Sequence, residues 1–256
     1  MMHGNRKVRI TRERVEAAQR HLDDCHLCPH ECGPARTTGQ GVCRVGQQTY
    51  IASEMLHVGE EASISPAHAV FFSGCTAHCT FCSAARYAFN ATYGTLATPQ
   101  ALAQAIRRRM AQGARTLEFV GGEPTPHIPF VLETLSLLAP GECPPVVWNS
   151  NFYLTSDALD LLDGVVDIWL PDLKFGNEDC ARQLSRMRDY WKIVTHAILW
   201  AAPRGDVIVR HLLMPGHKHC CTVPVLAWIE ANMPQAKLSV LDQYIPPPTY
   251  NVRLES

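Results

Sequence analysis

From Gly46 onward, short apolar runs alternate with longer amphipathic stretches, and this alternation restricts the fold more than any other property of the chain. The runs fall at Val70–Ser73, Thr116–Val120, Val146–Asn149, Val166–Leu170, Val207–Leu213 and Leu238–Leu241. Between them, Thr98 and Pro99 supply a cap and a first-turn proline for a helix that Gly113 closes. Ile128–Leu138 sets Ile128, Leu132, Leu135 and Leu138 on one helical face, and Ser156–Leu162, Cys180–Leu199 and Val223–Asn232 read as further helices. Strands joined by helical crossovers run parallel, so the expected fold class is α/β with a parallel sheet, open or barrel-like. Active sites in such sheets gather at the carboxyl ends of the strands. Pro246-Pro247-Pro248 reads as a stiff exit from the domain.

Cysteine supplies the next constraint. The chain has 256 residues, a net charge of −1 and 11 cysteines. The balanced charge gives no basic stripe for nucleic acid. No apolar run is long enough for a membrane span, and Met1–Ile10 is polar and basic, without a signal segment. The expected location is therefore the cytoplasm, where clustered cysteines bind metal more often than they form disulfides. Cys75-Thr-Ala-His-Cys79-Thr-Phe-Cys82 follows the apolar run Ala69–Phe72 and the turn Ser73-Gly74. Its three thiolates offer three ligands where a cubane iron–sulfur cluster takes four, which leaves one iron open; zinc would need His78 as a fourth ligand.

Residues 1–46 form a separate cysteine-rich extension, and residues 47–256 form the sheet domain. In the extension, a helix over Arg12–Asp24 leads into Cys25, Cys28, Cys32 and Cys43. This glycine-interrupted segment has little apolar content to offset its ordering entropy, so a metal is the expected staple. Zinc and an auxiliary iron–sulfur cluster both remain open, with His26 and His30 as alternative ligands. Cys143 and Cys180 read as packing cysteines. His217, His219, Cys220 and Cys221 read as a packed loop, because adjacent cysteines suit one tetrahedral metal poorly, with an active-site cap and a metal site as the alternatives.

Four strand ends carry polar or glycine motifs. Gly121-Gly122-Glu123-Pro124 allows a close backbone approach. Asn149-Ser150-Asn151 can hydrogen-bond a carboxylate or ribose, or simply make a turn. Asp172 and Lys174, two apart on an extended segment, point the same way. Arg210 interrupts an apolar strand and needs an anionic partner, whereas His211 faces the other side and reads as packing. Tyr244 falls where it can reach the mouth of the sheet. There is no Ser-His-Asp set and no phosphate-binding glycine loop, so no catalytic side chain is expected beyond the cluster and its cofactor site.

Taken together, these motifs resemble the radical S-adenosylmethionine (SAM) superfamily, and in particular proteins similar to pyruvate formate-lyase activating enzyme. The matching segments are Cys25–Cys32, Gly59-Glu60-Glu61, Phe71–Cys75 with Cys79 and Cys82, Leu162–Lys174, Arg210-His211-Leu212 and Gln243-Tyr244. The resemblance implies a partial (β/α)6 TIM-type barrel and a [4Fe-4S] cluster on Cys75, Cys79 and Cys82. It also implies SAM held by Gly121, Gly122 and Glu123 at its amino group and by Asp172 and Lys174 at its carboxylate, with Asn149, Asn151 and Arg210 nearby. The implied activity is reductive SAM cleavage to a 5′-deoxyadenosyl radical. A flavodoxin or ferredoxin would donate the electron, and a glycyl residue of a partner protein would be the target. Radical modification of a small molecule or peptide is the second enzyme reading, and a non-catalytic iron–sulfur protein is the third. Ser83-Ala-Ala-Arg86 stands where many relatives continue with Gln-Asn, which bears on the partner surface.

Overall fold

The computed structural model describes residues 10–59, 61–242, 244 and 246. Met1–Arg9 of the polar amino terminus, Glu60, Gln243, Pro247 and Pro248 lie outside the described residues.

In chain order the elements are α1 (Arg12–Arg20), a 3-10 turn (Pro34–Thr38), β1 (Tyr50–His57), β2 (Ala67–Phe72), α2 (Ala85–Ala88), β3 (Thr95–Leu96), α3 (Pro99–Ala111), β4 (Thr116–Gly121), a 3-10 turn (Thr125–His127), α4 (Ile128–Ser136), β5 (Val146–Ser150), α5 (Ser156–Leu162), β6 (Ile168–Pro171), α6 (Glu178–Ser185), α7 (Tyr190–Ala201), β7 (Asp206–Leu212), a π-helical turn (Lys218–Thr222), α8 (Val223–Asn232) and β8 (Lys237–Leu241). They form one eight-stranded sheet in the order β3-β1-β2-β4-β5-β6-β7-β8. The six strands read from sequence, β2 and β4 to β8, pair in parallel. β1 and β3 add an antiparallel flank. The sheet is not closed; β3 and β8 are its edges, which is compatible with a partial TIM-type barrel.

Side chains alternate between the two faces of each strand. Val70, Phe72, Leu117, Phe119, Trp148, Trp169 and Val209 belong to the main core, which also holds buried residues of α3 to α8. Burying a phenylalanine such as Phe72 or Phe119 contributes about 1.5–3 kcal/mol. Ala67, Val147, Ile168, Leu170 and Ile208 form a smaller, separate apolar cluster on the opposite face. Further along that face the residues turn polar: Glu118, Asn149, Asp172 and Arg210 follow at period-two positions toward the carboxyl ends. The site-forming face is therefore dry at its base and polar at its mouth.

Two expectations need correction. Cys180–Leu199 is two helices, because Arg186 and Asp189 adopt positive φ of 61° and 51° between α6 and α7. The Glu178 carboxylate stabilises the restart by accepting the N–H groups of Tyr190 and Trp191, each at 2.8 Å. The Arg12–Asp24 helix ends at Arg20, and turns carry the chain to Cys25.

Candidate active site and metal-ligand clusters

The Cys75–Cys82 loop leaves the end of β2 at the carboxyl edge of the sheet and is clamped from several sides. Gly74 N donates to Tyr87 O at 2.9 Å, His78 N to Ser185 O at 3.0 Å, and Thr80 N to Leu184 O at 2.8 Å. Asn151 Nδ2 donates to Thr76 Oγ1 at 2.9 Å and lies 4.0 Å from Cys75 Sγ, while Ala77 N donates to that sulfur at 3.4 Å. His78 Nε2 bonds Val42 O at 3.0 Å and its ring stacks on Phe89. Burial raises the Cys75 and Cys82 thiols and pushes Cys79 up to about 12. Thiolates here therefore need cationic compensation, which a metal cluster supplies. The donor set fits a cubane held by three sulfurs.

Gly121 and Gly122 occupy the tightest backbone contact at the site. A Cβ on Gly122 would fall 2.2 Å from Gly74 O, and one on Gly121 would fall 2.2 Å from Phe72 N. The close approach seen in the structure is thus to the strand and turn that launch the cysteine loop. Glu123 is buried and fully engaged. Its Oε1 accepts the hydroxyls of Thr125 and Ser150, each at 2.6 Å, and its Oε2 accepts Asn151 N at 2.9 Å. Burial raises its pKa against the pull of these donors. Glu123 ties the glycine turn to the β5 end and hence, through Asn151, to Thr76.

Asp172 and Lys174 do share one side, with Asp172 Oδ2 2.5 Å from Lys174 Nζ. Burial works against the Lys174 charge, but Asp172 and Cys79 outweigh it and hold the ammonium above its ordinary value. The pair is partly buried beside the cysteine loop rather than a surface ion pair. Arg210 shares this face through its main-chain bridge with Asp172, and its carbonyl accepts Leu173 N at 2.9 Å. It is half-buried, not enclosed in the strand as its apolar neighbours suggest. His211 is the expected packing residue, bonded to Leu173 O at 2.7 Å and Thr222 Oγ1 at 3.0 Å. Tyr244 reaches the mouth, its ring 6.2 Å from Phe81. Asn149 donates to Glu118 Oε1 at 2.7 Å. Glu118 was not singled out from sequence, although a carboxylate inside Leu117-Glu118-Phe119 was the available signal.

The amino-terminal cysteines do converge. Cys25, Cys28, Cys32 and Cys43 line one narrow recess with Arg36, Thr76 and Thr125. Arg36 is buried, donating to Pro126 O at 2.7 Å and to Cys25 Sγ at 3.5 Å. Burial raises Cys28 strongly and Cys43 to about 11. The alternative ligands point elsewhere: His26 pairs with Asp24, and His30 Nε2 donates to Thr76 O at 2.8 Å. That last bond joins the recess to the residue following Cys75.

Cys143 stays a half-buried packing residue. Cys180 likewise packs against the main core, as do Cys220 and Cys221 after β7, and the structure also brings Cys180, His217, Cys220 and Cys221 together.

A sequence model of the Radical SAM superfamily matches residues 69–229. The chain belongs to that superfamily. Membership implies an enzyme that cleaves SAM at an iron–sulfur cluster. The chain is 39% identical over 239 residues to a Methanocaldococcus jannaschii protein, uncharacterized protein MJ0674, covering 91% of this chain and 69% of that one. Among solved structures, Streptococcus suis SuiB bound to S-adenosylmethionine superposes with a TM-score of 0.52 at 14% identity, over 69% of this chain and 40% of SuiB. SuiB bound to precursor peptide SuiA gives 0.50 at 14% identity, over 65% and 36%. The chain thus spans about two-fifths of the length of these SuiB chains, and at this identity the likeness speaks to fold. Among the described residues, no helix is long and apolar enough to cross a membrane.

Proposed function

We propose that this radical SAM enzyme is similar in role to glycyl-radical activating enzymes and acts on a glycyl residue of a partner protein. The observation that carries the reading is the open sheet. The cysteine loop sits at the carboxyl edge of a sheet whose terminal strands β3 and β8 do not pair with each other. A substrate segment can therefore approach from the side. The motif resemblance over Cys25–Cys32, Leu162–Lys174 and Arg210–Leu212 supports the same assignment.

When bound on Cys75, Cys79 and Cys82, the cluster supplies an open iron for SAM and the electron that breaks its sulfur–carbon bond. The chain's own residues position the cofactor. Gly121, Gly122 and Glu123 form the wall expected to face the SAM amino group. Lys174 and Arg210 offer positive charge to its carboxylate, with Asp172 fixing the Lys174 ammonium. Asn149 and Asn151 border the same polar mouth. Phe81, Phe175 and Tyr244 supply aromatic cover beside the cysteine loop, which keeps a reactive radical away from water.

Cys25, Cys28, Cys32 and Cys43 are proposed to hold an auxiliary iron–sulfur cluster rather than zinc, with Arg36 balancing its negative charge. The His30–Thr76 bond makes this centre a neighbour of the SAM cluster, suited to take an electron from a flavodoxin or ferredoxin. The test is electron paramagnetic resonance on the reduced, SAM-supplied enzyme mixed with candidate glycyl-radical proteins. A persistent glycyl doublet on a partner is expected. Stoichiometric 5′-deoxyadenosine with a small metabolite or peptide, and no radical on any partner, would reassign the substrate.

A further inference from the structure

We propose that Cys180, His217, Cys220 and Cys221 form a tetrahedral zinc site, distinct from both iron–sulfur ligand sets, that anchors the helix supporting the cysteine loop. All four ligand atoms lie within 4.8 Å of one another. Cys180 Sγ is 3.8 Å from Cys220 Sγ, and His217 Nδ1 is 3.6, 3.3 and 4.0 Å from the sulfurs of Cys180, Cys220 and Cys221. A tetrahedron with Zn–S of about 2.3 Å and Zn–N of about 2.0–2.1 Å has edges of about 3.8 Å between sulfurs and about 3.6 Å between sulfur and nitrogen. The spacings therefore match a single ion, whereas a cubane would hold its thiolates further apart. On binding, each thiol releases its proton to solvent and the neutral imidazole donates through Nδ1.

The local backbone explains how adjacent cysteines reach one centre. Lys218–Thr222 is a π-helical turn, with Thr222 N bonded back to His217 O at 3.3 Å. That widened turn lets both Cys220 and Cys221 face Cys180, and such turns favour functional sites. Asn177 holds the two sides together. Its Nδ2 donates to Cys220 O at 2.7 Å and to Cys180 Sγ at 3.3 Å, and its Oδ1 accepts Cys180 N at 2.8 Å. This is the supporting shell a metal site needs. Gly176 permits the contact, since a Cβ there would fall 2.7 Å from Cys221 O.

The position gives the ion a task. Cys180 lies in the first turn of α6, and the last residues of α6, Leu184 and Ser185, accept the Thr80 and His78 N–H groups that flank Cys79. Zinc at one end of this helix fixes the carbonyls that hold the cluster loop at the other.

The decisive experiment uses the full chain, purified anaerobically from zinc-replete medium, and combines metal analysis with zinc K-edge X-ray absorption. Expected is about one zinc per chain, with three sulfurs at about 2.3 Å and one nitrogen at about 2.0–2.1 Å. That zinc should persist in a variant lacking Cys25, Cys28, Cys32 and Cys43, and disappear in Cys180→Ser/Cys220→Ser. The latter should also show faster amide exchange across residues 78–82. Wild-type protein without zinc, zinc retained in Cys180→Ser/Cys220→Ser, iron in this coordination instead, or a Cys180–Cys220 disulfide in the anaerobic protein would each overturn the proposal. If the double variant fails to fold, the wild-type absorption spectrum still decides.

Discussion

The two cysteine quartets differ in what would hold them without metal. Cys25, Cys28, Cys32 and Cys43 are spread over a segment whose non-cysteine apolar burial between Cys25 and Gly46 comes from Leu27 and Val45. The second quartet borrows its frame from α6 and from the turn that follows β7, with Cys221 fully buried against the main core. Their spacing differs as well. Among the described residues, the second quartet forms a compact single-ion group, and neither the first quartet nor the Cys75 triplet does. The contrast separates a cysteine group with little apolar burial around it from one framed by finished secondary structure.

The largest effect should follow from Cys25→Ser/Cys28→Ser. With its metal gone, the segment 25–45 should lose amide protection throughout, a local loss on the order of several kcal/mol. If hydrogen exchange shows that segment still protected in metal-free protein, the contrast between the quartets collapses.

Gly122→Val tests whether damage near the cysteine loop stays local. The added side chain must displace the Gly74 carbonyl, at a cost of about 1–3 kcal/mol. Iron content should fall together with SAM affinity, while zinc at Cys180 remains. Full iron retention with SAM binding alone lost would show that the glycine serves only the cofactor.

Acid should strain the amino-terminal side first. His127 is fully buried, its Nε2–H donating to Ser73 O at 3.0 Å and its Nδ1 3.1 Å from the Thr49 hydroxyl. Burial, and then the Arg36 charge, lower its pKa from 6.5 to about 3. Because the folded value is depressed, the unfolded chain binds the extra proton between these limits. Stability is therefore complete above 6.5 and declines as pH falls toward 3, by up to about 1.4 kcal/mol per pH unit from this group. Chemical denaturation of wild type and His127→Gln from pH 7 to 4 should show a shallower decline in the variant; parallel slopes would remove His127 as the cause.

Asn177→Ala should have the smallest effect. Losing the α6 cap costs about 1 kcal/mol, seen as a modest fall in Tm and faster loss of zinc to a chelator. Unchanged chelation kinetics would mean that Asn177 caps the helix without supporting the ion.

The parallel strands were legible because sheet strands covered on both faces read as continuous apolar runs, as in Val146–Trp148. β1 was not, because none of its residues is fully buried, its exposed positions Ser53 and Met55 break the polar–apolar alternation, and Glu54 is satisfied from another element, by Arg108 at 3.0 Å and Arg109 at 2.9 Å. The break between α6 and α7 was hidden by residues other than glycine in left-handed conformations. In the candidate site, Cys75, Cys79 and Cys82 were readable from local spacing, and Asp172 with Lys174 from strand periodicity. Glu123 was read as a cofactor contact, and only the tertiary structure reveals Thr125, Ser150 and Asn151 around it. His217, Cys220 and Cys221 stood together in the sequence, but their grouping with Cys180 was illegible for two reasons: Cys180 lies 37 residues from His217, and the reach of adjacent cysteines depends on a π-helical turn that no local pattern announced.

The most direct test is 5′-deoxyadenosine formation by anaerobically reconstituted full-length protein, supplied with SAM and dithionite, compared with Cys79→Ala. Wild type should release 5′-deoxyadenosine and methionine, and Cys79→Ala should fall to background while retaining its circular dichroism spectrum. Equal product from both proteins would contradict the assignment of Cys75, Cys79 and Cys82 as the ligands of the SAM-cleaving cluster.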